Sequence, residues 1–160
     1  MWGAPLYVFD QLASTNTWVL ENSASVDHGT VVQAVRQTQG RGRFQRRWVA
    51  PDDACLTLSA ALRADRYDPD LFPLTGPAAA LAVADCLRDN GLRAMLKWPN
   101  DVLVGSRKAA GVLSEAADGN NFLAVGIGLN VNVKPGELAA IPAPATSLLA
   151  ETGRSRPPGE

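Results

Sequence analysis

A basic segment at residues 36–48 carries the highest density of positive charge in the chain. Its sequence, RQTQGRGRFQRRW, holds five of the 15 lysines and arginines. The planar guanidinium groups of Arg41, Arg43 and Arg46 match the oxygens of a phosphate. Gly40 and Gly42 are expected to adopt backbone conformations closed to other residues, so that backbone amides can converge on an anion. The segment predicts a phosphate-binding loop. A solvated basic loop and a weak RNA-binding patch are the alternatives.

A second polar group, KWPND at residues 97–101, lies where a strand is expected to end at Pro99. Lys97, Asn100 and Asp101 can hold a phosphate, a sugar and Mg²⁺ respectively, because Mg²⁺ is bound by one or two carboxylates together with substrate phosphates. An Asx turn without function is the alternative interpretation.

Two further segments have glycine inside predicted strands. KAAGVLSE, residues 108–115, begins with Lys108 and contains Gly111, and GIGLNVN, residues 126–132, has two glycines on one face. A glycine weakens a strand and often marks a place where a ligand passes close to the backbone. These segments predict a ligand site on the sheet. GIGLNVN lacks the third glycine and the following helix of a dinucleotide-binding fingerprint.

The tripeptide STN at residues 14–16 offers donors and acceptors at the start of a predicted helix. Its serine, Ser14, is predicted to cap the helix by accepting hydrogen bonds from first-turn amides. This leaves Asn16 without a structural explanation. The one histidine and the two cysteines are interpreted as structural or solvated, because no G-x-S-x-G nucleophile motif occurs.

The predicted elements alternate only loosely between strands and helices. Helices are predicted at residues 14–24, 74–90 and 145–151, and strands at 30–35, 56–62, 102–104, 109–116 and 122–133. Strands before and after helices without strict alternation favour an α+β fold, a sheet with helices packed mainly on one face.

Length and composition limit the class of protein. The 160 residues are 46% hydrophobic, which is enough for one core in one domain. A formal net charge of -1 excludes the broad basic field of a general nucleic-acid binder, and a single histidine excludes a histidine-rich metal site. The sequence predicts no membrane span and no signal peptide, so we expect a cytoplasmic protein.

Taken in order, STN, QTQGRGRFQRRW, KWPND, KAAGVLSE and GIGLNVN resemble the motifs of biotin protein ligases. Enzymes of that family activate biotin with ATP and attach it to a lysine of a carrier protein. The resemblance implies a mixed, largely antiparallel sheet, and a catalytic domain at residues 1–152 followed by a flexible tail at 153–160. It also implies ATP and Mg²⁺ as cofactors, biotin as substrate, a biotin carboxyl carrier protein as partner, and a homodimer formed through sheet edges.

The resemblance also assigns roles to individual residues. The implied biotin-binding residues are Ser14, Thr15, Asn16, Gln37, Gly40, Arg41 and Gly111. The implied ATP-binding residues are Arg41, Arg43, Arg46, Trp48, Asn100, Lys108 and Asn130. The implied catalytic residues are Lys97, Asp101, Lys108 and Arg43, and Asp101 is also the implied Mg²⁺ ligand and an aid to the acceptor amine.

Three departures from the family pattern modify these expectations. Gln45 stands where the family usually has a loop glycine, which predicts a loop that is stiffer or hinged differently. Nothing before Val8 could form a helix-turn-helix domain, so DNA regulation is not expected. The chain ends soon after Leu149, where the family continues with further helices and a small barrel. A lipoate or octanoate ligase, a truncated non-catalytic biotin binder and an RNA-binding module are the competing hypotheses.

Overall fold

Seven strands and four helices make up the fold of the computed structural model, which describes residues 4–51, 53–66, 69–117 and 121–157. The strands are β1 (Leu6–Leu12), β2 (Val31–Gln37), β3 (Cys55–Arg63), β4 (Ala94–Lys97), β5 (Asp101–Val104), β6 (Arg107–Ala116) and β7 (Phe122–Asn130). The helices are α1 (Thr15–Glu21), α2 (Phe72–Asp89), α3 (Pro135–Ala139) and α4 (Leu148–Thr152).

All seven strands form one sheet in the order β1-β2-β3-β7-β6-β5-β4. β1 and β2 are parallel because α1 crosses between them, and every other neighbouring pair is antiparallel. The predicted α+β class with a mixed, largely antiparallel sheet is therefore confirmed. The predicted hairpin between residues 102–104 and 109–116 is also confirmed, and its turn contains Gly105 at φ +60°.

The two faces of the sheet are covered differently. On one face the apolar side of α2, with Ala80, Ala84 and Leu87, packs against a cluster that includes Val112 and Val125. This agrees with the expectation that helices lie mainly on one face. The shorter α1 packs on the opposite face, where its Val19 contacts a smaller cluster of strand residues. The rest of that second face is left for the candidate site.

Several element boundaries differ from the sequence predictions. α1 ends at Glu21 instead of residue 24, α2 begins at Phe72, and β7 ends at Asn130 instead of residue 133. The last helix covers Leu148–Thr152 instead of residues 145–151, because the side chain of Ser147 caps it by accepting from the amide of Ala150 at 3.0 Å. β1 and α3 were not predicted.

The predicted cap at Ser14 is wrong in its detail. Ser14 occupies the N-cap position with extended backbone, but its side chain makes no capping hydrogen bond. The amide of Thr15 instead donates to Oε1 of Gln37 at 2.7 Å. The start of α1 is therefore tied to the end of β2 by a side chain that the sequence placed in the ligand site.

The end of the chain is partly described. The predicted tail begins at Gly153, the left-handed C-cap of α4 (φ +69°), and residues 158–160 lie outside the described residues. The amide of Arg156 donates to Oδ1 of Asn132 at 3.0 Å, so the first part of this segment is held against the loop after β7. Among the described residues, no helix is long and apolar enough to cross a membrane.

Candidate functional site

A cavity of about 740 Å³ lies on the face of the sheet that carries α1. All of the predicted site residues except Gly40 line it. Those residues are Ser14, Thr15, Asn16, Gln37, Arg41, Arg43, Arg46, Trp48, Lys97, Asn100, Asp101, Lys108, Gly111 and Asn130. Gly40 lies directly behind the wall, because a Cβ on it would approach the carbonyl oxygen of Trp48 to 3.1 Å. The five separated motifs therefore converge on one space.

A β-bulge turns Lys108 toward this cavity. In the pairing of β5 with β6, Val102 is opposite Ala110 but Leu103 is opposite Lys108, so Ala109 is an extra residue in β6. Side chains alternate along a strand, and an extra residue reverses that alternation. Without the bulge, Lys108 would share the face of Ala110, which is fully buried beneath α2. The bulge puts Lys108 on the cavity face, together with Gly111.

Glycines form the floor of the cavity. Asp101 pairs with Gly111, and Gly111 pairs with Gly128, so these residues form a row on one face across three strands. The indole of Trp48 lies directly on Gly128, where a Cβ would come within 2.5 Å of the ring. Trp48 can therefore lie against the sheet because residue 128 beneath it has no side chain.

A chain of uncharged polar groups closes one end of the cavity. The Ser59 hydroxyl lies 2.6 Å from Oδ1 of Asn16 and 2.7 Å from Oγ1 of Thr15, and Thr15 Oγ1 donates to Oε1 of Gln37 at 3.2 Å. Asn16 is 3% exposed and fits against β7 only because residue 126 is glycine. Ser59 had no motif to identify it. This end of the cavity can hydrogen-bond a neutral polar group in a fixed orientation.

The basic loop closes on itself. The amide of Gly42 donates to the carbonyl of Arg46 at 2.7 Å, and the amide of Trp48 donates to the carbonyl of Gly40 at 3.0 Å. The expectation that these two glycines adopt conformations closed to other residues is wrong: Gly42 is extended, and the positive φ in the loop belongs to Phe44. Only the backbone of Gln45, the last residue of the 3-10 turn Arg43–Gln45, is described.

The loop arginines are engaged to different degrees. Arg41 turns toward the sheet, and its guanidinium donates to Glu115 through two nitrogens and to the hydroxyl of Thr17 at 2.7 Å. Arg43 is exposed and donates to Oδ1 of Asn100 at 3.3 Å, while Arg46 is exposed. Arg43 and Arg46 therefore have guanidinium surface available to an anion, as does Arg47, which is exposed and lines the cavity. Glu115, the last residue of KAAGVLSE, was not identified as a site residue.

Lys108 and Asp101 form an ion pair, with Nζ 2.6 Å from Oδ1. The Nζ atom also lies 5.8 Å from the centre of the Trp48 ring, within the range of a cation–π contact. Lys97 pairs with Asp101 across the β4–β5 turn and is exposed. The Trp98–Pro99 peptide bond of that turn is cis.

Asn130, which the resemblance implies is an ATP-binding residue, is buried. It is 3% exposed, and its Nδ2 donates to the carbonyl of Thr146 at 2.9 Å. The backbone of Lys108 pairs with the same segment, since Thr146 N donates to Lys108 O at 2.9 Å. Asn130 thus joins the segment before α4 to the strand that carries Lys108.

Cys55 lies against Asn130 and is buried, which raises the pKa of its thiol from 9.0 to about 12, with a smaller contribution from the charge of Glu137. A raised pKa keeps the thiol protonated, and the thiolate is the reactive form. We expect a thiol reagent at mildly alkaline pH to modify the exposed Cys86 and leave Cys55 unmodified in the folded chain. Mass spectrometry of tryptic peptides checks this, and rapid labelling of Cys55 without denaturant would contradict it.

The described residues suit a Mg²⁺ ion that is held mainly by its substrate. Among the described residues, no group of three or more histidines, cysteines or carboxylates could hold a metal ion. Asp101 is the carboxylate among the residues that line the cavity. A single carboxylate suits Mg²⁺ that is bound mainly by the phosphates of a nucleotide.

The fold and the cavity define a class of protein: an α+β domain that binds a small molecule beside a basic loop suited to phosphate. The family model described as Biotin/lipoate A/B protein ligase family matches residues 8–132, and the chain belongs to this family.

Relatives and solved structures agree with this assignment. The chain is 39% identical to the biotin–[acetyl-CoA-carboxylase] ligase of Mycobacterium tuberculosis over 90% of this chain and 54% of that protein. It superimposes on the biotin protein ligase from Aquifex aeolicus in complex with biotin and ATP with a TM-score of 0.79 and 34% identity, covering 95% of this chain and 62% of that one. A lipoate-bound P. falciparum protein, 10% identical with a TM-score of 0.61 over 96% of this chain and 58% of that one, shares the fold alone. The chain spans about half the length of the curated relatives it matches.

Proposed function

We propose that this protein is an ATP-dependent ligase that converts biotin to biotinyl-5′-AMP and transfers the biotinyl group to a lysine of a biotin carboxyl carrier protein. One observation carries the proposal: a single cavity contains an uncharged polar end, a basic loop and, on its floor, Lys108. The Mycobacterium tuberculosis relative is named a biotin–[acetyl-CoA-carboxylase] ligase, and the Aquifex aeolicus biotin protein ligase was solved with biotin and ATP.

The polar end of the cavity suits the ureido ring of biotin. That ring is neutral and carries two N–H donors and one carbonyl acceptor. Thr15, Ser59 and Asn16 present hydroxyl and amide groups in a connected chain, without a charge that would have to be desolvated. The glycines at 111, 126 and 128 leave space above the strands for the ring and its tail.

The basic part of the cavity suits the first half-reaction. A carboxylate oxygen of biotin attacks the α-phosphorus of ATP, a new P–O bond forms, and the bond to pyrophosphate breaks. Two anions must approach each other, so fixed positive charge lowers the barrier. We assign Lys108 to the carboxylate and α-phosphate, and Arg43, Arg46 and Lys97 to the leaving phosphates.

Another group of residues that line the cavity suits the nucleotide and its metal. The Nε1 atom of Trp48 is buried and has no hydrogen-bond partner among the described residues, so it is a donor suited to a ligand acceptor. We assign Trp48, Asn100 and Asn130 to the adenine and ribose side. Asp101 would hold Mg²⁺ together with the phosphates, and the ion would neutralise charge on the leaving pyrophosphate.

The second half-reaction joins the acceptor lysine to the activated acyl group. The amine nitrogen attacks the acyl carbon, AMP leaves, and the amine loses a proton. Asp101 is suited to accept that proton or to orient the amine, because its carboxylate lies on the cavity face beside Lys108. We further propose that the ligase acts in the cytoplasm without binding DNA, and that it pairs with a second copy through a sheet edge, β1 or β4.

The test combines the purified chain with biotin, MgATP and a biotin carrier domain, and follows the carrier by mass. We expect the carrier to gain one biotinyl group, and a carrier whose acceptor lysine is changed to arginine to gain none. Lipoate in place of biotin tests the lipoate ligase hypothesis and is expected to give no modification. Biotin binding without adenylate formation or transfer would contradict the ligase proposal and favour a non-catalytic binder.

A further inference from the structure

Glu115 connects the polar end of the cavity to the basic loop. Its Oε2 atom accepts from Nδ2 of Asn16 at 2.7 Å and from Nη2 of Arg41 at 3.1 Å, and its Oε1 accepts from Nε of Arg41 at 3.0 Å. The side chain is 27% exposed and that of Arg41 is 31% exposed, so the pair is partly shielded from water. Such bidentate, charge-assisted pairs are among the stronger hydrogen bonds in proteins.

The strand that carries Glu115 gives it a fixed position. Glu115 pairs with Ala124 near the end of β6 and lies on the cavity face, in the same alternation as Gly111 and Leu113. The other face of this strand packs against α2. The carboxylate is therefore a rigid point to which both a helix start and a loop are attached.

One consequence is that the amide group of Asn16 has only one favourable orientation. Its Nδ2 has two acceptors, the carbonyl of Leu113 at 3.0 Å and Glu115 at 2.7 Å. Its Oδ1 accepts from the Ser59 hydroxyl at 2.6 Å. Because a carboxylate only accepts, Glu115 fixes which end of the Asn16 amide faces the polar chain.

The other consequence concerns the loop. Nε, Nη1 and Nη2 of Arg41 are all engaged, two by Glu115 and one by Thr17. Arg41 also forms a backbone bridge with Arg47, on the other side of the loop. These contacts make Arg41 the anchor of the loop, whereas Arg43 retains exposed surface for an anion.

We propose that Glu115 is a positioning residue that sets the Asn16 amide for the neutral head group and, through Arg41, holds the basic loop against the sheet. This inference rests on the proposed biotin site. Glu115 acts through two other residues, so its loss lowers biotin affinity and loosens the loop together.

The test measures loop mobility and biotin binding separately in Glu115→Gln. Chymotrypsin cleavage after Phe44, which is 78% exposed at the tip of the loop, is followed by mass, and biotin binding is followed by calorimetry. We expect the cleavage rate and the biotin Kd each to rise about tenfold, the effect of losing one hydrogen bond to a charged group. A folded Glu115→Gln protein with wild-type cleavage and wild-type affinity would overturn the proposal.

Two further variants separate positioning from general destabilisation. Asp85→Asn removes a carboxylate–guanidinium pair on α2, which packs on the face of the sheet opposite the cavity. This variant is expected to change neither the cleavage rate nor the biotin Kd. Arg41→Lys keeps the contact of Glu115 with Asn16. This variant is therefore expected to raise the cleavage rate by a larger factor than it raises the biotin Kd. It also replaces Glu115→Gln if that variant does not fold, and equal cleavage of Arg41→Lys and wild type would overturn the proposal. If wild-type chain binds no biotin, the proposed function fails, while the cleavage measurement still decides whether Glu115 holds the loop.

Discussion

Lys108→Ala is expected to slow biotin-dependent ATP–pyrophosphate exchange by about 10²- to 10³-fold, the usual cost of losing one group that stabilises developing charge in the transition state. Lys108 is held in position from two sides, by the bulge in β6 and by the ion pair with Asp101 at 2.6 Å. Its side chain is 32% exposed, so the ammonium group can exchange Asp101 for a phosphate oxygen without a large desolvation cost. Isotope exchange between pyrophosphate and ATP measures the first half-reaction alone.

A matched lysine variant controls for loss of charge. Lys134→Ala removes an exposed lysine at the start of α3, outside the cavity, and is expected to leave exchange unchanged. Circular dichroism melting should show that Lys108→Ala is folded, with a loss of about 1 kcal/mol or less, because the ion pair is partly exposed. Exchange at the wild-type rate in a folded Lys108→Ala protein would remove Lys108 from the catalytic group.

The sequence predicted which residues line the cavity better than it predicted how they are held. Glycines within strands and a serine-threonine-asparagine triplet are unusual where only packing matters, so they mark the cavity even when the fold is unknown. Lys108 illustrates the limit. The alternation of β6 puts it on the helix face, and only the pairing with β5 reveals the bulge at Ala109 that turns it.

Glu115 and Ser59 show a second limit. Both lie on the cavity face and complete its hydrogen-bond network, but each is one polar residue in an otherwise ordinary strand. Their importance depends on partners distant in sequence, such as Asn16, which lies 99 residues from Glu115. A single sequence contains no signal for such long-range contacts, so they become visible only when the strands are placed side by side.

The failure to predict β1 has a related explanation. β1, with sequence LYVFDQL, lies at the edge of the sheet, and most of its residues are exposed. Leu6 and Val8 are 60% and 58% exposed, so the apolar and polar residues do not follow the alternation that a half-buried strand requires. β2 alternates in burial because one of its faces is covered, and it was predicted from its β-branched residues.

Adding one methyl group to Gly126 or to Gly128 is expected to affect the binding of biotin and of ATP differently. A Cβ at residue 126 would come within 2.5 Å of Oδ1 of Asn16, and one at residue 128 would come within 2.5 Å of the Trp48 ring. Overpacking of this kind costs about 1–3 kcal/mol, which corresponds to about 5- to 150-fold in affinity. Gly126→Ala should therefore weaken biotin binding, because Asn16 belongs to the polar end. Gly128→Ala should mainly weaken ATP binding, because Trp48 is displaced.

Calorimetric titration of each variant with biotin and with a nonhydrolysable ATP analogue measures the separation. Gly136→Ala is the matched control, since a Cβ there has nothing within 4 Å and the residue lies in α3, outside the cavity. Alanine favours helix over glycine, so this variant should bind both ligands normally and be slightly more stable. Equal losses of both ligands in Gly126→Ala and Gly128→Ala would mean that the methyl groups distort the whole sheet, and that the polar end and the tryptophan wall do not act as separate subsites.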